Sequence, residues 1–522
     1  MSSQQLGRRD FLKAAGVTAT IIGYSSQAGA WVGEPGPPPG NPGKGPGNPP
    51  GHGKGKGPHH PAPFDRVPAL DGELLTDAAA RSEMGSDLGL IIFDSPRAVL
   101  RPGSIEDVVA MVKFCAQHGI EVAARGQGHA THGQAQVKNG LVIDMSALQT
   151  IYEMGPGYAV VSGGCTWRKL LHDALRHPTL PPQTPPVLTG YIGLSIGGTL
   201  SMGGISGMAY DIGVQVEHVD ELTVVTGKGH LEVCSERKNR KLFDHVLSGL
   251  GQCGIIVKAK VKLVPAKPLA SNTTAVYVDI HTLQEDLRTL VYRGDLDSVY
   301  AQGGVDPATG GVVWLLNVAS FHDAANPPNT AHFLRDLHYL PGTLSTEVMP
   351  YEEYQLIVDK GIDQLRDFGL FEGVTHPWYD VFLPDSELGD YVADISASFQ
   401  PDDVGLFGFV LLFPLRTSTI SRPLFRLPDE ELVWLFDVLT SHNVPGRDDA
   451  FADNKRERNN VWFEQARALG GTRYPIGTLD FTQEDWKQHY GREWKAFQQA
   501  KQQFDPHGIL TPGPGIFRRQ GC

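Results

Sequence analysis

Two glycine-rich clusters about sixty residues apart constrain this chain more than any other feature. The first runs Ala124-Arg125-Gly126-Gln127-Gly128-His129-Ala130-Thr131-His132-Gly133-Gln134-Ala135, directly after a β-branched run that reads as a strand. The second spans Gly193 to Gly207 and is more than half Gly and Ser. Glycine inside regular structure costs roughly 0.5–1 kcal/mol per residue, so such clusters need a close-packed ligand to offset them. Successive N–H groups on a bent backbone can cradle a pyrophosphate without a positive side chain. Two such loops on one domain fit a dinucleotide. Neither has the G-x-G-x-x-G spacing between a strand and a helix, so the Rossmann fingerprint is absent and a nicotinamide dinucleotide is disfavoured.

At 522 residues the chain is long enough for two cooperating domains. Its net charge of −13 argues against a nucleic-acid or anionic-membrane partner and eases entry of a neutral or cationic substrate. Five scattered cysteines, none at C-x-x-C spacing, indicate neither a disulfide framework nor a zinc site. The start, Gly7-Arg8-Arg9-Asp10-Phe11-Leu12-Lys13 with Ala28-Gly29-Ala30, reads as a twin-arginine (Tat) signal peptide over 1–30. A periplasmic or secreted protein handed to the Tat export machinery already folded follows from it. Residues 31–63 are nearly all Gly, Pro, Asn, Lys and His, which predicts a disordered linker; its His52, His59 and His60 are read as solvated and no metal is assigned. No later apolar run reaches the roughly 18 residues that span a bilayer.

The folded part divides by texture. From 64 to 268, short β-branched runs alternate with helical patterns: Ile105–His118 has apolar residues at helical spacing and Gly119 suits its C-terminus. Leu141–Met145, Ala159–Val161, Leu222–Val225 and Ile255–Leu263 read as strands. A second domain of longer strands and amphipathic helices follows over 269–470. The segment 471–522 reads as one helix, a turn and a closing loop that return to the first domain. The class is α+β.

In order along the chain stand Arg125-Gly-Gln-Gly-His129, Gly197-Gly-Thr-Leu-Ser201, Leu250-Gly-Gln-Cys-Gly-Ile255, His376-Pro-Trp378, Asp485-Trp486, Phe504-Asp-Pro506 and Ile509-Leu-Thr-Pro-Gly513. This set resembles the FAD-binding flavoproteins of the vanillyl-alcohol oxidase/p-cresol methylhydroxylase (PCMH) type, and most of all the cytokinin dehydrogenases. The resemblance implies a PCMH-type FAD-binding domain beside a substrate domain with an antiparallel sheet. It implies an oxidase or dehydrogenase in which flavin N5 takes hydride from a C–H next to O or N of a small organic substrate, with O2 or an external acceptor removing the electrons. It also implies a covalent link from FAD to His129, with His132 the other candidate. Arg125, Gly126, Gln127, Gly128, Ala130 and Gln134 of the first cluster are then expected to hold FAD. The same holds for Gly190, Ser195, Gly198, Thr199, Ser201, Ile205 and Ile256. A second covalent link is not expected, because Leu188–Gly193 contains no cysteine and Cys165 reads as buried and apolar.

Departures from the pattern bear on the substrate. Cytokinin dehydrogenases carry a catalytic aspartate in a Thr-Asp-Tyr segment, where this chain has Thr189-Gly190-Tyr191. Their substrate-gripping glutamate falls near Lys360-Gly-Ile362, and Pro514 replaces a glutamine near the flavin. Another base is therefore needed. Asp380, in the predicted strand His376–Pro384, would share a face with Trp378 and Phe382, where apolar neighbours would raise its pKa. Tyr474 and Tyr191 are further catalytic candidates, and Glu372 and Arg416 weaker ones. Two alternatives stay open: a cytokinin-like amine dehydrogenase, and a flavin-binding protein without catalysis.

Overall fold

The computed structural model describes residues 64, 66–305, 311–405 and 407–517. The expected signal peptide and linker, with His52, His59 and His60, lie outside the described residues. The chain enters through strands β1 (Glu73–Leu75) and β2 (Ala98–Arg101), and helix α1 (Ile105–His118) crosses to β3 (Val122–Arg125) and β4 (Leu141–Asp144). The predicted limits of α1 hold: the Ser104 hydroxyl accepts from the Asp107 N–H, and Gly119 ends the helix at a φ of 65°. A side-chain cap of this kind contributes about 1 kcal/mol. β2 and β3 both pair parallel with β4, and β1 closes the edge antiparallel to β2.

A second sheet of five antiparallel strands follows, in the order β5-β6-β9-β7-β8. They are β5 (Ile151–Gly155), β6 (Tyr158–Ser162), β7 (Val219–Val225), β8 (Leu231–Cys234) and β9 (Ile255–Lys262). Helices α2 (Trp167–Leu175) and α3 (Ile196–Met202) sit between β6 and β7 in sequence. α3 is the folded form of the second glycine cluster. Cys165 and Cys234 are fully buried among the apolar side chains of this sheet, as free cysteines commonly are.

The chain then builds one eight-stranded antiparallel sheet. Its strands are β10 (Leu269–Tyr277), β11 (Ser298–Val305), β12 (Val312–His322), β13 (Ser345–Pro350), β14 (Tyr379–Pro384), β15 (Phe409–Arg416), β16 (Leu432–Leu439) and β17 (Thr472–Arg473), in the order β13-β10-β12-β11-β15-β16-β14-β17. The longer helices on this part are α4 (Ile280–Arg293), α5 (Ile357–Asp367), α6 (Leu388–Ala397) and α7 (Asp449–Ala468). Strand alternation gives the sheet two different faces. Tyr379, Val381, Phe436, Val438 and Leu412 pack against Leu283, Leu287, Tyr391 and Trp462 of the helices. The residues between them face the glycine clusters. β14 begins at Tyr379 rather than at His376, because Pro377 has no N–H to give to a ladder.

The C-terminal segment forms two helices where one was predicted, α8 (Gln483–Tyr490) and α9 (Trp494–Phe504), broken at Gly491 with a φ of 49°. Leu510 then bridges in parallel to Val122, which carries the tail back onto the first sheet. No helix among the described residues is long and apolar enough to cross a membrane.

Candidate functional site

A cavity of about 390 Å³ lies between the glycine clusters and the eight-stranded sheet. One wall is the first cluster, from Gly126 to Ala130, together with Gln134. This loop runs against the second cluster so closely that a Cβ on Gly126 would stand 2.0 Å from the Ser195 hydroxyl. Gly128 holds a φ of +69°, and a Cβ there would meet the Arg125 guanidinium. Gly190, Ser195, Gly198, Thr199, Ser201, Ile205 and Ile256 line the same cavity. A Cβ on Gly190 would meet nothing nearer than Val358, at 3.9 Å, so the missing side chain leaves space rather than a packing contact.

Two expected residues are placed differently. Arg125 does not line the cavity: its guanidinium turns beneath the loop and donates to the Ser86 carbonyl, near buried Asp87. It therefore supports the loop from behind. His132 also points away, with Nε2 3.7 Å from an Asp480 carboxylate oxygen, because the loop reverses between it and His129. Gln134 lines the cavity and also locks the loop in place. Its amide nitrogen donates to the Pro475 and Ile476 carbonyls at 3.2 and 3.0 Å, and its carbonyl accepts from His132 N–H at 2.8 Å. The Thr199 hydroxyl is taken by the Trp167 indole N–H at 2.8 Å, and the Ser201 hydroxyl donates to the Gly197 carbonyl at 2.7 Å.

The His129 imidazole stands in an aromatic collar, its ring centroid 5.3 Å from Tyr191, 5.8 Å from Phe371 and 5.2 Å from Trp378. Burial, with His376 and Arg366 adding repulsion, pushes its pKa down to about 3. The ring is neutral at ordinary pH and keeps a free lone pair. Tyr191 accepts from Arg366 Nη2 at 3.0 Å, and burial raises its pKa. It is held as a protonated wall of the cavity.

The other wall is the sheet. Asp380 is fully buried and faces the cavity, two residues after Trp378 and on the same face. It stands directly opposite Asp437 in the β14–β16 register, and Asp437 lines the cavity too. Burial raises the Asp380 pKa to about 7, and burial together with Asp380 raises Asp437 well above the carboxylate range. Sequence reasoning missed Asp437. Its one signal is a lone acid in the apolar run Leu432–Leu439, and only strand pairing brings it to Asp380.

Tyr474 leaves β17 beside this pair, its hydroxyl accepting from the Gly204 N–H at 3.4 Å and its ring packed on Phe382 and Phe425. Burial raises its pKa, so the phenol keeps its proton and can donate one hydrogen bond. The two weaker candidates lie elsewhere: Glu372 is exposed and pairs with Arg366, and Arg416 pairs with Asp211 at 2.7 Å outside the cavity. At the place of the family's gripping glutamate, α5 offers the cavity Ile357, Val358, Ile362 and Leu365. Its buried Asp359 instead accepts from Arg168 and from the Ile192 N–H.

The donor set fits a flavin dinucleotide. Backbone N–H groups and small side chains line one end, an apolar slot with a neutral histidine lies in the middle, and buried acids lie at the far wall.

Comparison with known proteins agrees. Residues 96–235 match the family described as "FAD binding domain", and residues 274–517 match "Cytokinin dehydrogenase 1, FAD and cytokinin binding". The chain is 31% identical to an "Uncharacterized oxidoreductase ORF5 in fasciation locus" of Rhodococcoides fascians, over 85% of this chain and 99% of that one. It is 31% identical to cytokinin dehydrogenase 1 of Arabidopsis thaliana, over 81% of this chain and 79% of the relative. Cytokinin dehydrogenase 5 of Oryza sativa subsp. japonica is 32% identical over 85% of this chain and 91% of the relative. In fold, the chain resembles 6-hydroxy-D-nicotine oxidase of Arthrobacter nicotinovorans, with a TM-score of 0.65 at 19% identity over 84% of this chain and 96% of that one. Glycine loops, aromatic slot and sequence relatives lead to one conclusion: the chain belongs to the cytokinin dehydrogenase family of FAD-dependent oxidoreductases.

Proposed function

We propose that the chain is an exported oxidoreductase that holds FAD covalently through His129 and oxidises a C–H next to N or O of a small organic substrate. The observation that carries this reading is a single cavity in which the glycine loops, His129 and Asp380 meet. When bound, FAD supplies the two-electron acceptor and the chemistry of hydride transfer. Gly126, Gly128, Gly190, Ser195, Gly198 and Ile256 bind it through backbone and close contact, while Arg125 stiffens the loop. His129 offers a neutral imidazole nitrogen for attachment, kept neutral by burial. Asp380 is the group placed to take a proton from the substrate, because its raised pKa puts it near the pH at which a base works best. Tyr474 orients a polar atom of the substrate by donating a hydrogen bond.

The relatives named cytokinin dehydrogenase suggest a cytokinin as one substrate to try. With glycine at position 190, proton removal from such an amine falls to Asp380 instead. Export to the periplasm or beyond rests on the twin-arginine start of the sequence, and O2 or an external acceptor takes the electrons.

The first experiment is a denaturing gel of the purified protein beside His129→Ala, viewed for flavin fluorescence. The wild-type band is expected to fluoresce and the variant band to be dark. A dark wild-type band refutes the covalent link, and wild-type protein without flavin absorbance refutes the whole reading.

A further inference from the structure

Four residues on four adjacent strands form one row across the cavity face. Asp380 pairs with Asp437, Asp437 with Leu411, and Leu411 with Gln302, all in register. The rows on either side are apolar: Leu439 beside Phe409, and Leu435 beside Phe413, whose ring stacks on Tyr300 at 5.5 Å. All of these except Asp380, Asp437 and Gln302 offer the cavity carbon or an aromatic ring. Both Asp380 oxygens and Oδ1 of Asp437 are buried and, apart from the facing carboxyl of the pair, find no hydrogen-bond donor among the described residues. The buried guanidinium of Arg473 favours the ionised form of Asp380 by its charge, but it gives Nη2 to the Gly477 carbonyl at 3.0 Å and makes no ion pair with either acid among the described residues.

A buried carboxyl pair without a cation is costly to the fold, and a packed apolar pair would serve the sheet better. Two facing buried carboxyls cannot both ionise readily, so above about pH 7, where Asp380 releases its proton, the pair keeps one proton and one negative charge. What the pair lacks is a positive donor in direct contact with its oxygens. The net charge of −13 favours the approach of such a molecule.

We propose that Asp380 and Asp437 act together as the recognition point for a monocationic amine whose remaining body is apolar or aromatic. The ammonium seats on the carboxyl pair, and the body lies between the Leu439–Phe409 and Leu435–Phe413 rows. Trp378, two residues before Asp380, touches the His129 ring. The carbon next to the nitrogen is thereby held near the flavin attachment point. This deepens the reading given under Proposed function and rests on it for the identity of the cavity.

Calorimetric titration of the purified full-length protein tests it with pairs of probes equal in shape and different in charge. N-methylbenzylamine and N-methylphenethylamine are set against benzyl methyl ether and phenethyl methyl ether. Wild type is expected to prefer the amines by roughly tenfold or more. Asp380→Asn and Asp437→Asn, which keep the shape and remove the charge, are each expected to abolish most of that preference and leave ether binding unchanged. Gln302→Leu, in the same row, is expected to retain it. Equal affinity for amine and ether, absence of amine binding, or a preference that survives in both Asn variants overturns the proposal. If an Asn variant does not fold, the wild-type comparison and the other variant still decide. Flavin content is read separately on the same samples. Flavin-free protein that still prefers the amines would refute the flavin reading and leave the carboxyl pair standing.

Discussion

Asp380 shows how one side chain can carry a cost that its surroundings alone impose. Its oxygens sit buried against Gly477 and Asp437, and burial lifts its pKa to about 7. In the unfolded chain the same group titrates near about 3.9. Between those values the unfolded chain has released a proton that the folded chain keeps, so stability falls as pH rises across this window, and the full cost is present above it. Asp380→Asn removes that cost. The variant is expected to exceed wild type in stability by on the order of 1–3 kcal/mol above pH 7, with the difference vanishing below about pH 4. Scanning calorimetry from pH 4 to 8 reads it, and a variant that gains nothing at high pH contradicts the burial argument. Gly126 makes the complementary case, where a side chain must be absent. Gly126→Ala would push the Ser195 hydroxyl aside and leave the new Cβ 3.0 Å from the Ser195 Cβ, and flavin absorbance per protein is expected to fall below wild type.

The strand that carries Asp380 is held at its start by a helix. Asn459 of α7 is fully buried, and its amide nitrogen donates to the carbonyls of Pro377, Trp378 and Thr478 at 3.2, 3.0 and 3.2 Å. The same helix brings Lys455 and Arg458 to the buried carboxylate of Asp403, at 2.8 Å each. α7 therefore fixes the aromatic collar around His129 from outside the cavity. Asn459→Ala would leave the Pro377 and Thr478 carbonyls short of a donor, at about 1–3 kcal/mol, while the Trp378 carbonyl keeps the Thr478 N–H at 2.8 Å. Substrate KM is expected to rise with the loss of Trp378 placement, while flavin fluorescence in the gel stays at the wild-type level. A variant with unchanged melting temperature and KM would show that the strand holds its own position.

Across the molecule, the final residues join sheet to sheet. Lys501 of α9 is almost wholly buried and donates to the carbonyls of Gln252 and Leu510 at 3.1 and 2.9 Å, with Asp505 at 2.8 Å. Asp505 in turn accepts from the N–H groups of Ile509 and Leu510. This network pins the tail beside Val122 and, through Thr511, beside the Gly251 end of the cavity. Lys501→Met would strand a buried carboxylate at a cost of about 3–5 kcal/mol. The expected result is a drop of several degrees in melting temperature together with faster protease cleavage after residue 500. Cleavage at the wild-type rate would show that the apolar contacts of Ile509 and Leu510 suffice.

Local patterns in the chain were enough for the α+β class, the cofactor class and the family. Glycine clusters, helix caps and strand alternation act over a few residues, and each leaves its mark where it acts. Alternation puts Asp380 on one face with Trp378 and Phe382, but whether that face meets the cavity or solvent was not readable, because it depends on what packs against the sheet. The outward turns of Arg125 and His132 were not readable either, because a loop's side-chain directions depend on what packs behind it, here Asp87 and Asp480. The break at Gly491 was also hidden, since a single glycine within a helical pattern can be tolerated or can end it, and packing decides. Asp437 lies fifty-seven residues beyond Asp380, and only antiparallel pairing in one register makes them neighbours. A contact set by register between distant strands has no local signature. The buried carboxyl pair is therefore a product of the tertiary structure, built from two acids that look unrelated along the chain.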